Sequence, residues 1–181
     1  MLRAEGELDT PLEDAELMLA AVEGSTEAQL VSISLIGAGA IFLEAGRRDE
    51  AEALLNKALE FGERLVSVLN DTLIVETAWL AHDLGRGEDY AALLGSWQHF
   101  PWAEAAQAVC AGEHRRAADV LERIGCRPAE AYARLRAAKR LVEEGRRAEA
   151  DVELQASLAF WREVGATRYV REGEELLAAS A

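Results

Sequence analysis

Cysteine is scarce in this sequence. Cys110 and Cys126 are the only two among 181 residues, too few for a disulfide framework, and a pair of isolated thiols suits a reducing cytoplasm. Proline occurs three times, at Pro11, Pro101 and Pro128, so long helices run unbroken between a few fixed starts. Positive charge is also short: 19 Lys and Arg stand against 33 Asp and Glu, a formal net charge of −14. Nucleic-acid binding draws its affinity mainly from cations that displace counterions, so this balance argues against DNA or RNA as a direct partner. No apolar run is long enough for a bilayer. The longest, around Leu30 to Leu43, is interrupted by Ser32, Ser34, Gly37 and Gly39 and falls short of a span. No secretory leader pattern precedes it. Alternating β-branched runs are missing as well, which leaves no strand candidate.

Ala, Leu, Glu and Arg dominate instead, and this is helix-forming composition. The clearest pattern is Leu141-Val-Glu-Glu-Gly145-Arg-Arg-Ala-Glu-Ala150-Asp-Val-Glu-Leu154, where one amphipathic helix stops at a glycine and the next begins within a few residues. Aligned on Gly145, the glycines Gly46, Gly85 and Gly112 fall into register at intervals of 39, 27 and 33 residues. Five residues on stand Ala51, Tyr90, Ala117 and Ala150; nine on stand Leu55, Leu94, Leu121 and Leu154. Seven before stand Gly39, Ala78, Ala105 and Ala138, so that position must stay small. A helix-turn-helix period of this size predicts a stacked helical repeat. Each register leucine, once buried, contributes about 1.5–3 kcal/mol.

In chain order, residues 1–10 lack periodicity and read as a flexible N-terminus, and 11–181 read as a single helical-repeat domain. Thr10 and Glu13 have capping-box spacing around Pro11, opening a helix that Gly24 stops. That helix has the spacing of the second half of a repeat. Helices are then expected over 26–45 and 49–69, from about 70 to Asp83, over 89–97, from Pro101 to Cys110, and over 114–124, 128–144 and 147–164. A last helix, 167–179, has no following partner and looks like a terminal cap. The predicted fold is all-α: a right-handed α-α superhelix of about four hairpins with a C-terminal capping helix. Because the C-terminal end looks finished and the N-terminal end cut, the chain reads as the C-terminal part of a larger protein.

The register resembles a degenerate tetratricopeptide repeat. Gly39, Gly46, Ala51, Leu55 and Ala58 match its small residue, turn glycine, alanine, large apolar residue and second alanine, and Ala138, Gly145, Ala150, Leu154 and Ser157 match nearly as well. Tyr90, Trp97 and Ile124 depart from the pattern. The last third, from Ala131-Tyr-Ala-Arg-Leu-Arg-Ala-Ala to Leu158-Ala-Phe-Trp-Arg-Glu-Val-Gly-Ala-Thr-Arg-Tyr, is similar to the C-terminal repeats of large bacterial ATP-binding regulators, some carrying an adenylate or guanylate cyclase domain and others a DNA-binding domain. That resemblance spans roughly 26–179 and implies an interaction or regulatory module in signalling. It carries over no catalytic residue, because no P-loop or cyclase motif is present.

The remaining motifs favour packing over chemistry. Gly37-Ala-Gly39 lacks the third glycine and preceding strand of a dinucleotide loop. Cys110 and His114 are four apart with Cys126 nearby, but no fourth metal ligand is spaced to join them. His82 and His99 lack a nearby nucleophile arrangement. No catalytic, cofactor or metal residue is assigned, and the chain is read as no enzyme. Arg47, Arg48, Arg86, Arg115, Arg116, Arg146 and Arg147 gather after the turns, where cations suit a helix C-terminus without any ligand. The aromatic connector Trp97-Gln-His-Phe-Pro-Trp102 is the best anchor for a protein or peptide, with Trp97, Phe100 and Trp102 as contacts. An inner groove is expected to add Val75, Gln107 and Arg134. The function that follows is a scaffolding or regulatory protein-binding module. A small-ligand sensor controlling an attached enzyme or regulator is the alternative, and a homo-oligomerising scaffold is a third reading.

Overall fold

Apolar side chains at fixed distances either side of a turn can leave water together only if the two helices fold back on one another. The computed structural model describes residues 9–61, 63–68, 71–97 and 99–178, and the helices either side of Gly46, Gly85 and Gly145 pack on one another. Among the described residues the regular structure is all helical: α1 (Asp9–Ala21), α2 (Ala28–Glu44), α3 (Arg48–Leu59), α4 (Glu63–Val68), α5 (Asp71–Asp83), α6 (Gly87–Leu94), a 3-10 turn (Gly95–Trp97), α7 (Pro101–Cys110), α8 (His114–Ile124), α9 (Arg127–Glu143), α10 (Arg147–Glu163) and α11 (Thr167–Ala178). None of these helices is long and apolar enough to cross a membrane.

The chain divides into two compact units, one ending at Gly112 and the other beginning at Glu113. In the first, α2 packs on α1, α3, α4 and α5, and α5 packs on α6 and α7. In the second, α9 packs on α8 and α10, and α11 packs on α10. The register positions supply the cores. Ala51, Tyr90, Ala117 and Ala150 are fully buried, as are Leu55, Leu94, Leu121 and Leu154, and so are Ala78, Ala105 and Ala138. Tyr90 occupies a position where its neighbours in register are alanine because its hydroxyl finds a partner, donating to the Ile74 carbonyl oxygen at 3.2 Å. Ser157 does the same, its buried hydroxyl donating to the Ala131 carbonyl at 2.7 Å.

Each hairpin turn is closed by a glycine in the left-handed region. At Gly46, φ is +79°, and the amide N–H of Arg47 donates back to the Phe42 carbonyl at 2.8 Å while that of Gly46 donates to Leu43 at 3.1 Å. This is the Schellman arrangement, which satisfies carbonyls that a helix end leaves unpaired. It recurs at Gly85 and Gly145, where Arg86 donates to Ala81 at 2.7 Å and Arg146 to Leu141 at 2.8 Å. The connections from α8 to α9 and from α10 to α11 use the same device, with Cys126 donating to Leu121 past Gly125 and Ala166 to Trp161 past Gly165.

The expected helix over 49–69 is two helices. α3 ends at Leu59, the Phe61 N–H bonds to Ala58 three residues back at 3.2 Å, and the chain restarts as α4 at Glu63. The apolar period continues across this point, which is why the spacing does not reveal the break. The expected helix over 89–97 begins at Gly87 and ends at Leu94, its last residues forming the 3-10 turn. α1 begins at Asp9, and the Thr10 side chain of the expected capping box lies outside the described residues, as does Asn70, which with Asp71 is expected to cap the helix that runs to Asp83.

Small residues set the approach of α6 to α7. A Cβ on Gly87 would stand 2.7 Å from the Cys110 carbonyl oxygen, and backbone cannot swing aside as a side-chain end can. Gly87→Ala is therefore expected to lower stability by about 1–3 kcal/mol in urea or thermal melts. Gly145→Ala should lower it by about 1–2 kcal/mol through left-handed strain. Gly95→Ala should be neutral or stabilising by up to about 1 kcal/mol, because Gly95 has right-handed helical angles and open space around its Cβ.

Candidate functional site

Hydrogen-bond demand decides which side chains remain free to meet a partner. Val75 is 2% exposed and belongs to the core. Gln107 is half-buried and its Nε2 donates to the Leu94 carbonyl at 3.4 Å, tying α7 to the end of α6. Arg134, in the second unit, is saturated from three sides: Nε reaches Glu130 at 2.8 Å, Nη1 Glu153 at 3.0 Å and Nη2 Glu122 at 2.9 Å. Glu153 is 4% exposed and shared, accepting from Arg115 Nε at 3.0 Å. The aromatic connector is more open. Trp97 is 37% exposed and meets Phe100 edge to face with ring centroids 6.5 Å apart, and Phe100 and Trp102 are half-buried. Trp79 and Trp161, at 7% exposed, are core.

The turn arginines are occupied inside the fold. Arg47, just before α3, spans two carboxylates, Glu50 in the first turn of α3 at 2.7 Å and Glu16 on α1 at 2.7 Å. Its guanidinium also stacks over Phe42, 4.0 Å from the ring centroid. Arg86 pairs with Asp89 and reaches Asn56 on α3, and Arg146 chelates Glu149 with two bonds of 2.8 Å. Arg48 donates to the Asp83 carbonyl at 3.1 Å, and Arg147 donates to the Leu176 and Leu177 carbonyls of α11 at 2.8 and 3.3 Å. The recurring Gly-Arg-x-x-Asp/Glu sequence thus puts a cation near the C-terminus of one helix and an anion in the first turn of the next, where each suits the local dipole.

The hydrogen bond from Arg47 holds the Glu50 carboxyl below its usual range, and Arg146 does the same for Glu149. Arg140 and then Arg146 depress Glu144, and Arg127 depresses Glu163. Burial pushes the Cys110 thiol up to about 12, which removes it as a nucleophile near neutral pH. Among the described residues no group of three or more His, Cys, Asp and Glu is placed to hold a metal ion.

One feature of the first unit was not singled out by spacing. The C-terminal end of α1, the first half of α2 and the second half of α3 border an open cleft of about 520 Å³. Leu19, Val22, Val31, Leu35, Leu54 and Phe61 line it. Leu19, Val22, Val31 and Phe61 are each partly exposed. Glu23, Lys57 and Glu60, all exposed, stand at the same cleft. The sequence signals were Gly24, which ends α1 early, and the apolar Phe61 at the break after α3. A charge asymmetry accompanies it: between Ala4 and Gly46 there are nine carboxylates and no Lys, Arg or His. No protein-family model, curated protein or solved structure matches the chain.

Removing Glu153 takes one of three carboxylates from the largely buried Arg134 and leaves Arg115 paired with Glu149 alone, so Glu153→Ala is expected to cost about 1–2 kcal/mol in chemical denaturation. Glu163→Ala, at an exposed pair, should leave the midpoint unchanged. A carboxyl depressed in the folded state adds stability that is present above its unfolded value and lost as pH falls through its folded value. Starting from the ordinary value of 4.5, melting temperature should fall as pH drops below it. A Glu144→Gln, Glu149→Gln double variant should show a shallower acid fall than the parent.

Proposed function

We propose that this chain is a non-enzymatic module that binds a protein or peptide in a scaffolding or regulatory role. The cleft between α1, α2 and α3 carries this reading, because partly exposed apolar side chains and exposed charged groups line it together. An amphipathic segment presents the same division, apolar on one side and charged on the other. The exposed ring of Trp97 beside Phe100 offers a second apolar contact of the kind that anchors interfaces. Resemblance to tetratricopeptide repeats, and to the C-terminal regions of bacterial ATP-binding regulators, favours the same role, within a larger signalling protein of the cytoplasm. The net charge of −14 weighs against a nucleic-acid partner.

Small-ligand sensing is the second reading, favoured by one observation: about 520 Å³ lies within the range of small-molecule pockets. Such pockets direct polar groups inward to fix a ligand's orientation, whereas here Glu23, Lys57 and Glu60 are exposed at the edge. Peptide display against the full chain, counter-screened with Val31→Arg, separates the two. The module reading expects enriched peptides whose binding Val31→Arg removes while its melting temperature stays near that of the parent. If no peptide enriches and a metabolite panel yields a ligand that stabilises by roughly 2.7 kcal/mol at about a hundred times its Kd, the sensor reading replaces it. Self-association as the sole function predicts a mass that rises with concentration in light scattering.

A further inference from the structure

We infer that the cleft of the first unit takes a basic amphipathic helical peptide, with apolar side chains on Leu19, Val22, Val31 and Phe61 and cations at Glu23 and Glu60. This rests on the module reading above and specifies the partner's chemistry.

Three observations converge on it. Accessible apolar side chains line it: Leu35 and Leu54 are 7% and 8% exposed, while Leu19, Val22, Val31 and Phe61 are partly exposed and can be covered further. An amphipathic helix lays its apolar stripe into such a groove. The rim sign is negative on balance, since Glu23 and Glu60 outnumber Lys57. Two helix C-termini, those of α1 at Ala21 and α3 at Leu59, end beside the cleft and add partial negative charge, against one N-terminus, that of α2 at Ala28.

The two helices that lead into and out of the cleft have the same sign: from Asp9 to Glu44, α1, α2 and the turn between them carry seven carboxylates with no basic residue. Arg47 binds Glu16 and Glu50, leaving Glu23 and Glu60 outside that arrangement. A field of this kind attracts cations before contact and speeds association at low salt. An acidic amphipathic helix would meet the same apolar side chains with like charge beside them, which costs affinity.

The test uses the full chain and three labelled synthetic peptides of equal length. One is a Leu/Lys amphipathic helix, one its Leu/Glu counterpart with the same apolar stripe, and one a Ser/Lys peptide that keeps the charge and lacks the stripe. Fluorescence anisotropy is expected to show the Leu/Lys peptide binding at least about tenfold tighter than either other peptide, with affinity falling as salt is raised. Glu23→Lys with Glu60→Lys should weaken Leu/Lys binding about tenfold and narrow the gap to Leu/Glu. Val31→Arg should weaken it by a similar factor, and its unchanged melting curve checks that the fold is kept. Ser/Lys binding equal to Leu/Lys, or Leu/Lys affinity unmoved by both sets of substitutions, would mean diffuse attraction to an acidic surface and would overturn the inference. Preference for Leu/Glu that Val31→Arg abolishes would overturn the basic specificity while leaving a peptide-binding cleft. Failure of all three peptides to bind overturns the inference, and the display selection then decides separately whether the cleft binds peptides at all.

Discussion

A backbone hydrogen bond running backwards across a glycine sets the terms for much of this molecule. Where the residue after Gly46, Gly85, Gly125, Gly145 or Gly165 donates to the carbonyl five positions earlier, the helix is closed and the chain is turned in one step. Only a residue without a Cβ adopts that left-handed angle at little cost. Because the bond fixes where one helix stops, it also fixes which residues of the flanking helices face each other. The complete burial of Leu55, Leu94 and Leu154, each nine residues past one of these glycines, follows from that phase. The bulk of Tyr90 is accommodated within the same phase because Ile74 offers its hydroxyl an acceptor.

The turn also places cations. Arg47, Arg86 and Arg146 each immediately follow a turn glycine and reach the carboxylate three residues on, and Arg47 and Arg86 extend to a helix earlier in the chain. In a chain with 33 acidic residues against 19 Lys and Arg, committing these cations to internal pairs has a consequence for the surface. Carboxylates are left in excess, and the stretch from Ala4 to Gly46 has no basic residue with which to balance its own. The cleft lined by Leu19, Val22, Val31 and Phe61 lies beside the end of α1 in that stretch. Packing chemistry and recognition chemistry are thus linked through the distribution of one residue type.

Some of this was legible in the residues. Gly46, Gly85, Gly112 and Gly145 each end a period-3.6 apolar run, and absent strand patterns left helices as the regular structure. The turn arginines were read as satisfying helix ends, but their partners thirty residues away were not readable, because a long-range contact leaves no local periodicity. Gly125 and Gly165 make the same turn outside the four-glycine register, since Gly125 leads from α8 into α9 and Gly165 from α10 into the last helix, α11. The break between α3 and α4 escaped for a related reason, since apolar spacing is preserved through it. Among the aromatics, spacing could not separate core from surface: Trp79 and Trp161 are on helical stripes and buried, whereas Trp97 sits in a short turn whose facing is set by tertiary packing. Arg134 and Gln107 were placed at a groove by register alone, and both have intramolecular partners that a linear reading does not supply.

The most direct test of the turn geometry is native-state amide hydrogen exchange at the residues that follow the glycines. The N–H groups of Arg47, Arg86, Cys126, Arg146 and Ala166 are predicted to exchange as slowly as amides in the adjoining helix ends, because each is held by a backward bond of 2.7–3.1 Å. Exchange at the rate of an open loop at these five amides would contradict the account, since the helices would then lack the closure that phases their buried faces.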